Sequence, residues 1–101
     1  MPRKYSFYVY ILANSTYTVF YTGVTNDLDK RIWQHKRKES KFTSKYNCDI
    51  LLYYEHFTYI QNAIAREKQL KKWKREWKIQ LIKTMNPEMI DLAKDWYKDA
   101  L

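Results

Sequence analysis

Apolar and aromatic positions alternate along the start of the chain. Residues 5–13 read Tyr-Ser-Phe-Tyr-Val-Tyr-Ile-Leu-Ala, which puts Phe7, Val9 and Ile11 on one face of a strand and Tyr8, Tyr10 and Leu12 on the other. Aromatic and β-branched side chains favour such a pleated surface. Residues 17–24 repeat the pattern, and the intervening Asn14, Ser15 and Thr16 are turn formers, which predicts a hairpin. A turn centred between Ser15 and Thr16 sets Tyr10 opposite Tyr21 and Tyr8 opposite Gly23, the one glycine in the chain.

The period then lengthens. Asn26 suits the N-cap of a helix over residues 27–38, with Asp27 and Asp29 in the first turn, where the helix dipole favours acids. Leu28 and Ile32 form its apolar stripe, and Arg31 and His35 lie beside that stripe. Residues 39–48 read as a basic loop and residues 49–58 as a third strand. A second helix is expected from Ile60 to about Lys78, with a break near Lys74–Trp77, then a shorter helix over 79–84. Asn86-Pro87 is expected to start a last helix, since proline suits the first helical turn. The length suits one domain over residues 1–101, with a core over about 5–92 and a short acidic and aromatic tail.

Composition narrows the function classes. The lone Cys48 excludes an intrachain disulfide and suits a reducing cytosol. With only His35 and His56 besides, an ordinary four-ligand zinc finger is excluded. Arg3-Lys4 before the first apolar run loosely mimics a signal peptide, but that run is short and alternating, so it reads as a strand. No membrane span is expected, and a cytoplasmic protein is.

The net charge is +8 and unevenly placed. Residues 84–101 hold four acids against two lysines, so residues 1–83 carry 17 basic against seven acidic side chains. That excess suits a polyanion such as nucleic acid, although a lysine-rich surface without a partner would look similar. Two runs concentrate the charge. One contains Lys36, Arg37, Lys38, Lys41 and Lys45, with Lys30 a turn earlier. The other contains Arg66, Lys68, Lys71, Lys72, Lys74, Arg75 and Lys78, interleaved with Trp73 and Trp77. Either can be a solvated face or a ridge that follows a phosphate backbone.

One residue conflicts with the helical pattern. At 100° per residue Glu67 falls in the middle of an apolar arc formed by Ile60, Ala63, Ile64, Leu70 and Trp77. A buried carboxylate needs a cation, a hydrogen-bond network or a metal ion. Arg31, against the first helix's apolar stripe, is the mirror case. The two could form a structural ion pair, or they could stand at the rim of one cleft, the carboxylate on a divalent ion and the guanidinium on a phosphate.

In order, Tyr8-Val9-Tyr10, Tyr21-Thr22-Gly23, the helix Asn26–His35 with Arg31 and His35 four residues apart, Ala63–Leu70 around Glu67, and Asn86-Pro87 resemble the GIY-YIG nuclease superfamily. The likeness is to its small single-domain members related to the excinuclease amino-terminal domain, and it runs from about residue 5 to residue 92. The resemblance implies an α/β fold, a small three-stranded antiparallel sheet flanked by helices. It also implies a metal-dependent endonuclease acting on nucleic acid, DNA ahead of RNA, in repair or in processing of branched substrates. A non-catalytic nucleic-acid-binding module of the same fold is the alternative.

By that resemblance Glu67 holds one Mg²⁺ or Mn²⁺ and Arg31 stabilises charge on the phosphate. Tyr10 or Tyr21, with a lean to Tyr21, takes the proton from water. His35 assists proton transfer or binds the phosphate, and Asn86 closes the site or orients Glu67. Two departures stand out: the first motif lacks its leading glycine, and Val24 occupies a position where several family nucleases carry a lysine. The lack of a separate DNA-binding domain points to weak or structure-directed binding, or to a protein partner for targeting.

Overall fold

In the computed structural model, which describes residues 5–39 and 41–98, strand β1 (Phe7–Ala13) lies between its two partners. Alternation with apolar side chains on both faces is what a central strand requires, and residues Val9 to Ala13 are all buried. The other elements are β2 (Phe20–Thr25), α1 (Leu28–Lys36), α2 (Lys41–Tyr46), β3 (Ile50–Phe57), α3 (Ile60–Lys72) and α4 (Arg75–Met85). The sheet order is β2-β1-β3, antiparallel throughout. This is the expected three-stranded sheet with flanking helices.

Each face of the sheet carries its own core. Val9, Ile11, Ala13 and Leu52 pack with Ala63 and Leu70 of α3 and Ile82 of α4. Tyr10, Leu12 and Leu51 pack with Leu28 and Ile32 of α1, with Cys48, and with Ala93 and Tyr97 near the C-terminus. A fully buried Ile32 contributes on the order of 1.5–3 kcal/mol relative to exposure.

The hairpin register differs from expectation by two residues. Tyr10 pairs with Gly23, Leu12 with Tyr21 and Tyr8 with Thr25. The connection runs through Val19, because the Asn14 side chain organises it: Asn14 Oδ1 accepts from the amides of Thr18 (2.9 Å) and Val19 (3.0 Å). Tyr17 turns into the left-handed region (φ 56°), and its hydroxyl donates to the Met89 carbonyl at 2.6 Å. A shift of two preserves the face, so Tyr10 and Tyr21 still share one side of the sheet.

Four other expectations are corrected. Asp27, not Asn26, caps α1, its carboxylate accepting from the Lys30 amide at 3.1 Å. The basic loop contains helix α2. The break between the long helices falls at Trp73 and Lys74, both extended, so α4 already begins at Arg75. The segment after α4 is a series of turns rather than a helix, and it is no tail: Tyr97 is buried, donates to the Asp29 carbonyl at 2.6 Å and packs its ring 5.0 Å from Trp33. That segment also covers the β3 edge, where Leu51 N–H donates to Asp91 and Leu92 N–H to the Leu51 carbonyl.

Candidate active site at the edge strand

Three rings meet on the α1 face of β1 and β2. Tyr10 and Tyr21 centroids are 6.2 Å apart, Tyr10 and His35 5.5 Å, and Tyr21 and His35 5.6 Å. Each arrives by local necessity. Tyr10 and Tyr21 sit at inward positions of neighbouring strands, and His35 follows Leu28 and Ile32 along the buried stripe of α1. Gly23, directly opposite Tyr10, lets the phenol cross over its Cα. A Cβ there would overlap the hydroxyl end of the ring, 2.5 Å from Cζ.

The Tyr10 hydroxyl lies 2.8 Å from His35 Nε2, and both residues are almost wholly buried. Burial, then the neighbouring Tyr21, push the Tyr10 phenol far above its usual range, against an opposing pull from Arg31. Burial, then Arg31, lower His35 to about 4. At neutral pH Tyr10 therefore stays protonated and His35 neutral. The Tyr21 ring stands beside both, so the three groups can form one relay.

Arg31 and Glu67 approach this cluster from opposite sides of the sheet. Arg31 is exposed, lies 3.5 Å from Gln34 Oε1, and lines a 250 Å³ hollow with Thr25, Asn26, Asp27, Lys30 and Gln34. Glu67 is on the sheet-facing side of α3 with its side chain only 17% exposed and its carboxylate 3.3 Å from the ammonium of the half-exposed Lys71. Its field reaches Tyr10, as the weakest of the influences on that phenol. The expected apolar arc is only partly right: Ala63 and Leu70 are buried, but Ile64 and Trp77 are exposed. Among the described residues Arg31 and Glu67 form no ion pair with each other.

Asn86 is not in the cluster. Its buried amide donates to the carbonyls of Leu52 (3.2 Å) and Ile90 (2.7 Å) and accepts from the Ile90 amide. Leu52 is the extra residue of a bulge between β1 and β3, so Asn86 satisfies a carbonyl that the bulge leaves out of the ladder. This is a different task from closing the site or orienting Glu67.

The basic residues separate in the same way. Lys36 is tied to Asp91 (2.6 Å) and the Asp49 carbonyl (2.9 Å), and Arg66 forks onto Glu55 (2.8 and 3.0 Å) while covering the Trp73 ring. Both are held by acids distant in the chain. Arg37 lies over Trp33 and near Glu39, Lys38 donates to Asn47, and Lys45 stands over Tyr46. Lys74 stands over Trp77, and Arg75 lies 4.2 Å from the Phe20 ring centroid. Lys30, Lys68 and Lys72 are exposed. The Lys41 side chain lies outside the described residues.

In the sequence Lys78 is only a member of the second basic run, and its place beside Tyr21 is not foreseen. With Lys71, Phe20, Tyr21 and Thr22 it lines a 390 Å³ hollow around the β2 edge. Burial, then Arg75, lower its ammonium below the usual lysine range. Val24, by contrast, packs with the Val9 and Ala63 core.

A central Tyr strand, an edge strand carrying Tyr-x-Gly and a following helix carrying arginine and histidine define the GIY-YIG class of α/β domain. Residues 6–80 match the GIY-YIG catalytic domain, and the chain belongs to that family. It is 39% identical over 83 residues to a UPF0213 protein of Syntrophus aciditrophicus, covering 80% of this chain and 93% of that one. It is 41% identical over 76 residues to a UPF0213 protein of Clostridium perfringens, covering 74% and 81%. The solution NMR structure of a UPF0213 protein from Bacillus halodurans aligns with a TM-score of 0.55 at 30% identity, over 82% of this chain and 88% of that one.

Proposed function

We propose that the chain is a metal-dependent endonuclease that hydrolyses nucleic-acid phosphodiester bonds, DNA ahead of RNA. The observation that carries this reading is the Tyr10–Tyr21–His35 ring cluster at an edge strand, within electrostatic reach of one guanidinium and one carboxylate.

Tyr21 is the proton acceptor in this reading. Tyr10 is buried, held protonated and bonded to His35, so it serves as a donor. With His35 in the Nε2–H tautomer, His35 donates to Tyr10 and Tyr10 to the Tyr21 oxygen, which holds negative charge there. Tyr21 lines the edge-strand hollow and can meet a water beside a bound phosphate. Lys71 and Lys78 in the same hollow supply the positive field that Val24 does not. Arg31 and Lys30 hold the phosphate from the α1 side.

Glu67 is the carboxylate for the ion. Among the described residues no three His, Cys, Asp or Glu side chains come together, which does not suit a zinc cage. A single carboxylate does suit Mg²⁺ or Mn²⁺, which keep waters and share phosphate oxygens. When bound, such an ion would neutralise charge on the phosphate. Lys71 is half exposed and can swing from Glu67 to the nucleic acid.

The test is nicking of supercoiled plasmid and branched DNA with Mg²⁺, with Mn²⁺ and with EDTA. Wild type should nick only with a divalent ion, and Glu67→Ala should lose about 10³-fold in rate, several kcal/mol of transition-state stabilisation, while still binding. Equal nicking by wild type and Glu67→Ala would remove the enzymatic reading. Salt-sensitive binding without nicking by either would leave the non-catalytic binding module, which Val24 and the Lys71–Glu67 contact favour.

A further inference from the structure

A second concavity, larger than the hollows at the ring cluster, has the opposite electrostatic character. It has a volume of 610 Å³ and is lined by Ser6, Tyr8, Asn26, Asp27, Leu28, Asp29, Tyr54 and Trp96. No lysine or arginine lines it, although the chain carries 19 of them. Its wall is aromatic: Tyr8 meets Tyr54 edge-on at 6.4 Å, and Tyr54 meets Trp96 edge-on at 6.2 Å. Its rim is the first turn of α1, where Asp27 and Asp29 each bring a carboxylate. Neither is in an ion pair among the described residues. Two full negative charges outweigh the roughly half positive charge of the helix N-terminus.

We infer that this cleft binds an arginine side chain of a protein partner. One exposed and two half-buried aromatic rings beside carboxylates suit a planar guanidinium, which stacks on a ring and donates in a fork to a carboxylate. A nucleic-acid backbone would meet both acids here and no lysine or arginine in the lining. Hydration is less of an obstacle for guanidinium than for a lysine ammonium. The volume holds the side chain and flanking peptide.

The walls are built in advance of any ligand. Tyr8 and Tyr54 belong to paired strands, Asp27 is fixed as the helix cap, and Tyr97 ties the Asp29 backbone to the segment that carries Trp96. Trp96 itself is 40% exposed, which leaves its ring open to a ligand. The cleft shares Asn26 and Asp27 with the Arg31 hollow. A partner held there would stand beside the candidate active site, a way to direct a chain whose basic surface alone selects no target. The inference does not depend on the nuclease reading, because it is tested by binding alone.

The experiment is an NMR titration of the full ¹⁵N-labelled chain with acetyl-Gly-Arg-Gly-amide, followed at the Trp96 indole N–H and the amides of Tyr8 and Tyr54. The expected result is saturable shifts at these signals. Binding should weaken at least about fivefold for the peptide carrying uncharged citrulline in place of arginine, and likewise for Asp29→Asn. Asp29→Asn keeps the shape of the cleft, and Trp96→Ala, with folding checked by circular dichroism, should abolish the response. Equal shifts from the citrulline peptide, or none from the arginine peptide at millimolar concentration, would overturn the inference. Larger shifts from a thymidine dinucleotide would make this a base-stacking site instead. Concentration-dependent shifts without peptide would make a second copy of the chain the occupant.

Discussion

Gly23 adopts no left-handed backbone angle, so its importance lies in the missing Cβ. Gly23→Ala should push the Tyr10 ring off His35 and lower stability by about 1–3 kcal/mol, the usual effect of overpacking. A thermal melt beside a nicking assay checks this, with both expected to fall together. His35 makes a separate, pH-dependent prediction. Its folded-state value of about 4 lies below the ordinary value of about 6.5, so the unfolded chain takes up a proton first as pH falls. Stability should decline between pH 6.5 and about 4, by on the order of 3 kcal/mol, then level off. Urea unfolding at pH 7 and pH 4.5 checks it: the loss should be smaller in His35→Asn by about 2 kcal/mol, the share of the effect that falls in this window. Tyr10, Tyr21, Arg31, His35 and Glu67 stand out by their order along the chain, and the fold brings Tyr10, Tyr21 and His35 into one ring cluster. The protonation states of Tyr10 and His35 are not legible in that order, because burial sets them and only the folded arrangement reveals burial.

At the scale of elements, strands and helices followed from period and capping chemistry, and errors arose where one side chain redirects the backbone. Asn14 lengthens the β1–β2 connection by gathering two amides, which moved the register by two. Trp73 packs against the α3 face of the core and closes α3 early. The two basic runs looked alike in sequence, yet Lys36 and Arg66 are drawn into ion pairs by acids distant in the chain, Asp91 and Glu55. This difference is measurable. Lys72→Ala should reduce the slope of log affinity against log salt by about 1, while Lys36→Ala should leave the slope alone and lower the melting temperature. With about four to six phosphate contacts, wild-type affinity should fall about 10²–10³-fold between 50 and 200 mM salt. A flat salt response would exclude a backbone-binding face.

For the molecule as a whole, the sheet separates two cores, and the hollow at the edge strand β2 brings Tyr21 together with Lys71 and Lys78. Tyr10, Tyr21, His35 and Arg31 come from the α1 side, while Glu67, Lys71 and Lys78 come from the helices behind. The sequence pattern anticipated a three-stranded sheet but not this edge, nor the folding of residues 91–98 onto α1 and β3, since turn segments carry no period. Among the described residues no helix is long and apolar enough to cross a membrane. The division of labour between the two tyrosines is the most exposed point of the account. Single-turnover cleavage of a branched DNA should be compared for Tyr21→Phe, Tyr10→Phe and wild type, with affinity measured in parallel. The account predicts that Tyr21→Phe lowers the rate about 10²–10⁴-fold at unchanged affinity, the range of a lost general base, and that Tyr10→Phe lowers it less. Full activity in Tyr21→Phe, or a greater loss in Tyr10→Phe than in Tyr21→Phe, would contradict it.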